Sequence, residues 1–155
     1  MIYGDGGHAL VIKSFYQGGG TIVAIGDNAD RKKEAERLEK EGHWFGTAIH
    51  PKAYIAPGVE IGDGTVIMAG VVIQPGAKIG RHTIINTGAT LDHHCVIEDY
   101  VHIAPGAHLC GNVKVGEGTL VGVGVPIAPG AVIPCWSLVK TKRLEIETVS
   151  NHEGL

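Results

Sequence analysis

An aliphatic residue returns at every sixth position from Ile49 to Val139, sixteen times without a miss, as at Ile55, Ile61, Ile67, Leu91, Leu109 and Val121. Four residues after each, as far as Ile133, stands something small or β-branched, such as Ala53, Thr65, Ala89, Cys95 and Thr119. Glycine follows nine of them by three residues, as at Gly58, Gly76 and Gly118. A period of six is neither the 3.6 of a helix nor the 2 of a plain strand, and its unbroken repetition points to a solenoid. Each unit predicts one short strand and one tight corner. Three units close a triangular coil, and the coils stack at the usual ~4.8 Å spacing of paired strands. The architecture expected is mainly β: a left-handed parallel β-helix of about five coils, with the repeated aliphatics filling the prism.

The corners account for the glycine and proline. Ala-Pro-Gly or Gln-Pro-Gly stands at residues 56–58, 74–76, 104–106 and 128–130. Proline presets φ at the first central position of a type II turn, and glycine accepts the positive φ of the second.

Residues 1–46 do not follow the repeat. Ile2-Tyr3, the loop Gly4-Asp5-Gly6-Gly7-His8 and the apolar run that follows predict strand, glycine loop and helix. Such a loop lets a ligand approach the backbone at a helix N-terminus. A tight strand-to-helix turn would explain it equally well. Thr21–Ile25 predicts a second strand, and residues 29–42 a helix rich in strong helix formers. The pairs Lys32–Glu36, Glu36–Lys40 and Arg37–Glu41 fit a solvated face. Residues 44–48 predict a strand entering the first coil. The expected organisation is thus a truncated α/β, Rossmann-like, substrate-binding head at 1–46, the β-helix at 47–139, and a tail at 140–155 with one further strand or helix around Arg143–Val149.

Composition restricts function. The chain is 44% hydrophobic with a net charge of −3, which leaves no basic footprint for nucleic acid. No apolar run reaches membrane-spanning length and no signal core follows the N-terminus, so no membrane partner and a cytoplasmic location are expected. Three cysteines outside any paired motif predict reduced thiols, with Cys95 a small core residue at a repeat position.

In a solenoid this regular, deviations mark sites. Pro57, Pro75, His93, Gly111 and Pro129 stack in one corner column, so at Leu91-Asp92-His93-His94-Cys95 an imidazole replaces the turn proline. Histidine titrates nearest neutrality, which suits a general base. A tolerated surface histidine is the plainer reading. A second column, Val66, Ile84, His102, Leu120 and Leu138, precedes the core aliphatics and points outward. Four exposed apolar residues in line predict a buried subunit interface, with His102 interrupting it. His93 and His102 lie on opposite sides of one prism, so a site that uses both forms between subunits, and a trimer is the natural closed assembly.

These residues carry a resemblance. Gly4-Asp5-Gly6-Gly7-His8, Ala24-Ile25-Gly26-Asp27-Asn28, Ile85-Asn86-Thr87-Gly88-Ala89, the run from Asp92 to Glu98, and Gly111-Asn112-Val113-Lys114-Val115-Gly116 are similar to the sialic-acid and bacillosamine O/N-acetyltransferase family. The likeness implies transfer of acetyl from acetyl-CoA to an amine or hydroxyl of a sugar, usually a nucleotide-linked or activated one, by a homotrimer. It implies His93 as catalytic base with Asn86 and Asp92 beside it, and His102, Gly111 and Val123 near acetyl-CoA. It further implies Gly4, Gly6, Gly7, His8 and His94 on the sugar side, with no metal. The chain departs from the family pattern at His94, where an acid is usual, in a shorter head between Lys13 and Thr21, and in abbreviated coils after Gly124. Two other classes stay open: a non-catalytic trimeric scaffold, and a carbonic-anhydrase-like metal enzyme using imidazoles such as His82, His93, His94, His102 and His108 from adjacent subunits.

Overall fold

The computed structural model describes residues 1–140; residues 141–155, including the stretch Arg143–Val149, lie outside the described residues. The chain opens with β1 (Ile2–Tyr3), α1 (Gly7–Lys13), β2 (Ile22–Val23) and α2 (Asn28–Lys40), and β1 pairs β2 in parallel. A strand, a helix and a second parallel strand form the smallest α/β unit, as the glycine loop and apolar run predicted. Asp27 caps α2 by accepting a hydrogen bond from the Asp30 N–H at 2.9 Å, the usual device for an unpaired N-terminal donor. Phe45 makes a single bridge to Thr21 where a strand was expected.

From β3 (Ala48–Ile49) to β18 (Leu138–Val139) a two-residue strand recurs every six residues, and the strands form parallel sheets of six, five and five. Each strand pairs with those eighteen residues away, so Leu91 faces Ile73 on one side and Leu109 on the other. The parallel β-helix is therefore the one the repeat predicted. Ile67, Ile85, Leu91, Ile103 and Val121 are completely buried, whereas Ile49 is 43% exposed because no coil lies beneath it. Threonines at the small interior positions bury their hydroxyls by donating to backbone carbonyls, Thr65 to Gly80 at 2.7 Å and Thr119 to Pro134 at 2.8 Å, which removes the cost of an unpaired polar group.

From Gly58 to Trp136 the second central corner position has positive φ, and five residues other than glycine hold it: His82, His94, Tyr100, Asn112 and Trp136, with φ between 51° and 60°. Bulky side chains are uncommon in that region. Each of the five projects from a corner, and His82, Tyr100 and Trp136 stack in one column beneath α2.

The head lies along the six-stranded sheet. Ala9, Ile12 and Ile22 belong to the same buried cluster as Val66, Ile67 and Met68, so one core runs through both parts. This corrects the reading of the outward apolar column. Val66 and Ile84 are each 1% exposed within a single chain, Leu120 is half-buried, and only Leu138 is well exposed, at 55%. The head, not a second subunit, covers the lower half of that face. The periodicity could not distinguish these covers, because either one wants the same apolar stripe.

On α2, Arg37 joins Glu41 as expected and also Glu34 at 2.5 Å. Lys32 instead reaches across to Glu117 at 2.5 Å, and neither Lys32–Glu36 nor Glu36–Lys40 is an ion pair among the described residues. The helix is not solvated all round, since Arg31, Ala35 and Leu38 form a buried stripe. Cys95 is fully buried and its thiol donates to the Cys110 carbonyl at 3.2 Å, while Cys110 and Cys135 are exposed free thiols.

Candidate active site

Two histidine clusters stand on different sides of the prism. The first is the corner between β10 (Thr90–Leu91) and β11 (Val96–Ile97), where Asp92, His93 and His94 are all exposed. His93 occupies the proline position of the turn and His94 the glycine position, with φ of 57°. Asp92 accepts the His93 backbone N–H at 2.8 Å. Its hydrogen bond therefore goes to the turn, and the group that meets the His93 ring is His94, Nδ1 to Nδ1 at 3.2 Å. One of the two nitrogens must carry the proton. With Nδ1–H on His93, its Nε2 lone pair is free, and Nε2 joins no hydrogen bond among the described residues. The ring lies on Gly111: a Cβ there would come within 2.5 Å of the imidazole. Glycine at this position is thus a matter of room for the ring. The Gly111 N–H donates to no acceptor among the described residues, so the ring stands beside an open backbone donor.

The second cluster lies on the six-stranded sheet under the head. His102, on β12 (His102–Ile103), places Nε2 3.1 Å from the Asn86 amide nitrogen. The His8 ring, from the start of α1, comes within 6.5 Å of the His102 ring, centroid to centroid. Gly4, Gly6, Gly7 and His8 line a cleft of about 310 Å³ with Asp5, Ala24, Ile25 and Gly26. Burial, reinforced by the Arg31 charge, lowers His8 to about 4 and His102 to about 4, so both are neutral near pH 7. His8 Nε2 is buried without a partner among the described residues. Val123 is 69% exposed on the corner that follows β15 (Leu120–Val121), two coils above Thr87.

Within one chain the expected residues therefore fall into two groups, Asn86, His102, His8 and the glycine loop on one side and Asp92, His93, His94 and Gly111 on the other. The corner of the second group joins two sheets neither of which contains His102. The imidazoles considered for a metal are similarly dispersed. His82 is packed under α2, and His108 hydrogen-bonds Thr90 at 2.8 Å on a third face. Among the described residues no three His, Cys, Asp or Glu side chains gather in metal-binding geometry.

Arg31 escaped the sequence reading. It is 1% exposed and donates to the carbonyls of Ile25 (2.9 Å), Gly26 (3.1 Å), His82 (2.8 Å) and Tyr100 (2.8 Å), and to Asn28 Oδ1 at 2.7 Å. Asn28 in turn donates to the Gly118 carbonyl at 2.9 Å. The signal was present in the spacing Arg31, Ala35, Leu38, a helical stripe headed by a cation.

A family model, Bacterial transferase hexapeptide (six repeats), matches residues 45–74, 61–93 and 94–128. The chain is 49% identical over 48 residues to UDP-N-acetylbacillosamine N-acetyltransferase of Bacillus subtilis (strain 168), a match that spans 31% of this chain and 22% of that enzyme. Among solved structures, the acetyltransferase domain of PglB from Neisseria gonorrhoeae in complex with acetyl coenzyme A superposes with a TM-score of 0.83 at 28% identity, over 88% of this chain and 85% of that one. PerB from Caulobacter crescentus in complex with CoA and GDP-perosamine is 32% identical with a TM-score of 0.79, over 90% of this chain and 87% of that one.

Proposed function

The chain belongs to the bacterial hexapeptide transferase family, and on that premise we propose that it transfers acetyl from acetyl-CoA to an amine or hydroxyl of a sugar. N-transfer to a nucleotide-linked amino sugar is the preferred form, because the similar proteins include N-acetyltransferases of a UDP-sugar and of GDP-perosamine. The observation that carries the reading is the His93 corner. Among the described residues the imidazole there has one nitrogen engaged by His94 and the other without a partner, and the Gly111 N–H beside it donates to no acceptor.

His93 Nε2 takes the proton from the acceptor nitrogen or oxygen as that atom attacks the thioester carbonyl, a step worth typically ~10²–10⁴-fold. The Gly111 N–H receives the developing oxyanion. The new N–C or O–C bond forms, the C–S bond breaks, and coenzyme A takes the proton back from the imidazolium to leave as the thiol. Asn86 and Asp92 shape the site, and His102, Gly111 and Val123 line the acetyl-CoA path. Gly4, Gly6, Gly7, His8 and His94 meet the sugar, in keeping with a substrate-binding head at 1–46 on a β-helix at 47–139. Since His93 and His102 are on opposite sides of one prism, the working unit is a homotrimer with sites between neighbours. A cytoplasmic enzyme fits the free thiols, and among the described residues no helix is long and apolar enough to cross a membrane.

The test is His93→Ala, assayed with acetyl-CoA and amino-sugar nucleotides. Transfer should fall by roughly 10²–10⁴-fold while calorimetric binding of acetyl-CoA persists. Undiminished transfer would remove His93 from the chemistry.

A further inference from the structure

An imidazole is a different neighbour for a catalytic base than a carboxylate, because an ionised carboxylate can only accept a hydrogen bond and an imidazole can also donate one. His93 Nδ1 and His94 Nδ1 stand 3.2 Å apart, with the rings crossed at 76°. A single proton fits between them. For two neutral rings this leaves two arrangements. In one, His93 carries the shared proton and His94 keeps its own on Nε2. In the other, His94 carries it and the second proton sits on His93 Nε2, where it removes the lone pair that a base needs. Both rings are seated on glycines. A Cβ at Gly111, in the coil above, would come within 2.5 Å of the His93 ring, and one at Gly76, in the coil below, within 2.7 Å of the His94 ring. Asp92 gives Oδ1 to the His93 backbone N–H. Neither Nε2 has a hydrogen-bond partner among the described residues, so the choice between the arrangements is left to what arrives at these two atoms.

We infer that His94 is a positioning residue through which the acceptor arms its own base. A sugar oxygen that accepts the His94 Nε2–H fixes that proton on Nε2 and leaves His94 Nδ1 bare. His93 is thereby held in the Nδ1–H form, whose Nε2 is free for the attacking amine or hydroxyl. The change balances in protons: one crosses from His94 Nδ1 to His93 Nδ1, one leaves His93 Nε2 for water, and one enters His94 Nε2 from water. Recognition of the sugar and activation of the base become one event. Without the sugar the two arrangements mix, and the site is only partly armed toward water, the competing acceptor for the thioester. An acid at position 94 would arm the base permanently, since it has no donating form once ionised. The coupling to the sugar rests on the acetyl-transfer reading, whereas the single proton between the rings does not.

The test is nitrogen NMR of the full chain labelled with ¹⁵N-histidine at pH 8, with His93→Asn and His94→Asn used only to assign the two rings. In the free protein the Nδ1–H fractions of the two rings should add to one. Saturation with the amino-sugar nucleotide that the enzyme acetylates should move His93 to the Nδ1–H form and His94 to the Nε2–H form together. GDP-perosamine is tried first, because the similar PerB is found in complex with it. Both rings protonated at Nε2 alone in the free protein, or a His93 tautomer unmoved by a sugar that is acetylated, overturns the inference and leaves acetyl transfer standing. Failure to acetylate any amino-sugar nucleotide instead removes the transfer reading, and the coupling with it. Two variants read the same device kinetically. His94→Gly restores the residue that this column holds at Gly58, Gly76 and Gly130, so the turn is kept. Its kcat should fall roughly 10- to 100-fold and its KM for the sugar should rise, with KM for acetyl-CoA moving much less. His94→Asp arms the base without the sugar, so hydrolysis of acetyl-CoA in the absence of sugar should rise by a larger factor than transfer does. An unchanged ratio of hydrolysis to transfer would show that His94 orients His93 without sensing the sugar.

Discussion

His93 and His102 are the two imidazoles proposed to serve the acetyl group, and their surroundings are opposite. His93 stands exposed on a corner, supported by the next histidine and by a bare glycine backbone. His102 is mostly buried on a sheet face, kept neutral by burial and by the Arg31 charge, with its Nε2 met by the Asn86 amide nitrogen at 3.1 Å. A base needs a free lone pair and room for a proton, which only the first environment supplies. An orienting group needs a fixed tautomer, which only the second supplies. Position in the same β-helix thus gives one residue type two kinds of surroundings.

The largest effect should come from separating the two. His93→Ala and His102→Ala are each expected to be nearly inactive alone. Trimers assembled from an equal mixture should regain about a quarter of wild-type activity, because that share of the sites between subunits pairs one intact His93 with one intact His102. No recovery in mixed trimers would place both residues in separate roles within one chain.

Next in size is Gly111→Ala. The three atoms nearest the added methyl would all belong to the movable His93 ring, the first at 2.5 Å, so transfer should drop roughly 10- to 100-fold with little change in melting temperature. Gly80→Ala should do the reverse. Its methyl meets backbone, Asp99 N at 2.6 Å, and therefore costs stability. If both variants merely unfold, the distinction between a ring seat and a backbone contact fails.

The buried imidazoles predict acid sensitivity. His82 is pushed down to about 4 chiefly by burial, with the Arg81 and Arg31 charges adding to it, and its Nδ1 has no partner among the described residues. The unfolded chain binds a proton near 6.5 and the folded one only near 4, so stability falls as pH drops through that interval and levels off below it. For His82 alone the loss is on the order of 3 kcal/mol, and His102 and His8 act in the same direction. Denaturant unfolding at pH 7 and pH 4.5 measures it. In His82→Asn, which tolerates the positive φ, the pH dependence should be shallower.

Smallest is His94→Asp, a residue that also tolerates positive φ. A carboxylate against Nδ1–H of His93 would hold the tautomer more firmly than an imidazole can, and should raise kcat by roughly two- to tenfold. A decrease would indicate that His94 serves the sugar rather than the base.

The recurrence of Ile, Leu and Val at every sixth position sufficed for the β-helix, because each coil repeats the same local problem and solves it with the same residues. The His93 corner was legible for the same reason: it breaks a rule that its neighbours in the column obey. The lower part of the column, Val66 and Ile84, was misread as a subunit interface, since an apolar stripe specifies that it is covered and not by what. Arg31 was legible only as the head of the helical stripe Arg31, Ala35 and Leu38, and its partners were not. Apart from Asn28 Oδ1, its acceptors are backbone carbonyls of residues 25–27, 82 and 100–101, groups without sequence identity that only the folding of the head against the coils brings around one guanidinium. Sequence by itself determined everything that depends on a residue and its neighbours six and eighteen positions away. The tertiary structure alone decided which side chains meet where two differently built parts of the chain pack together, because there the partners are set by long-range geometry and not by any period.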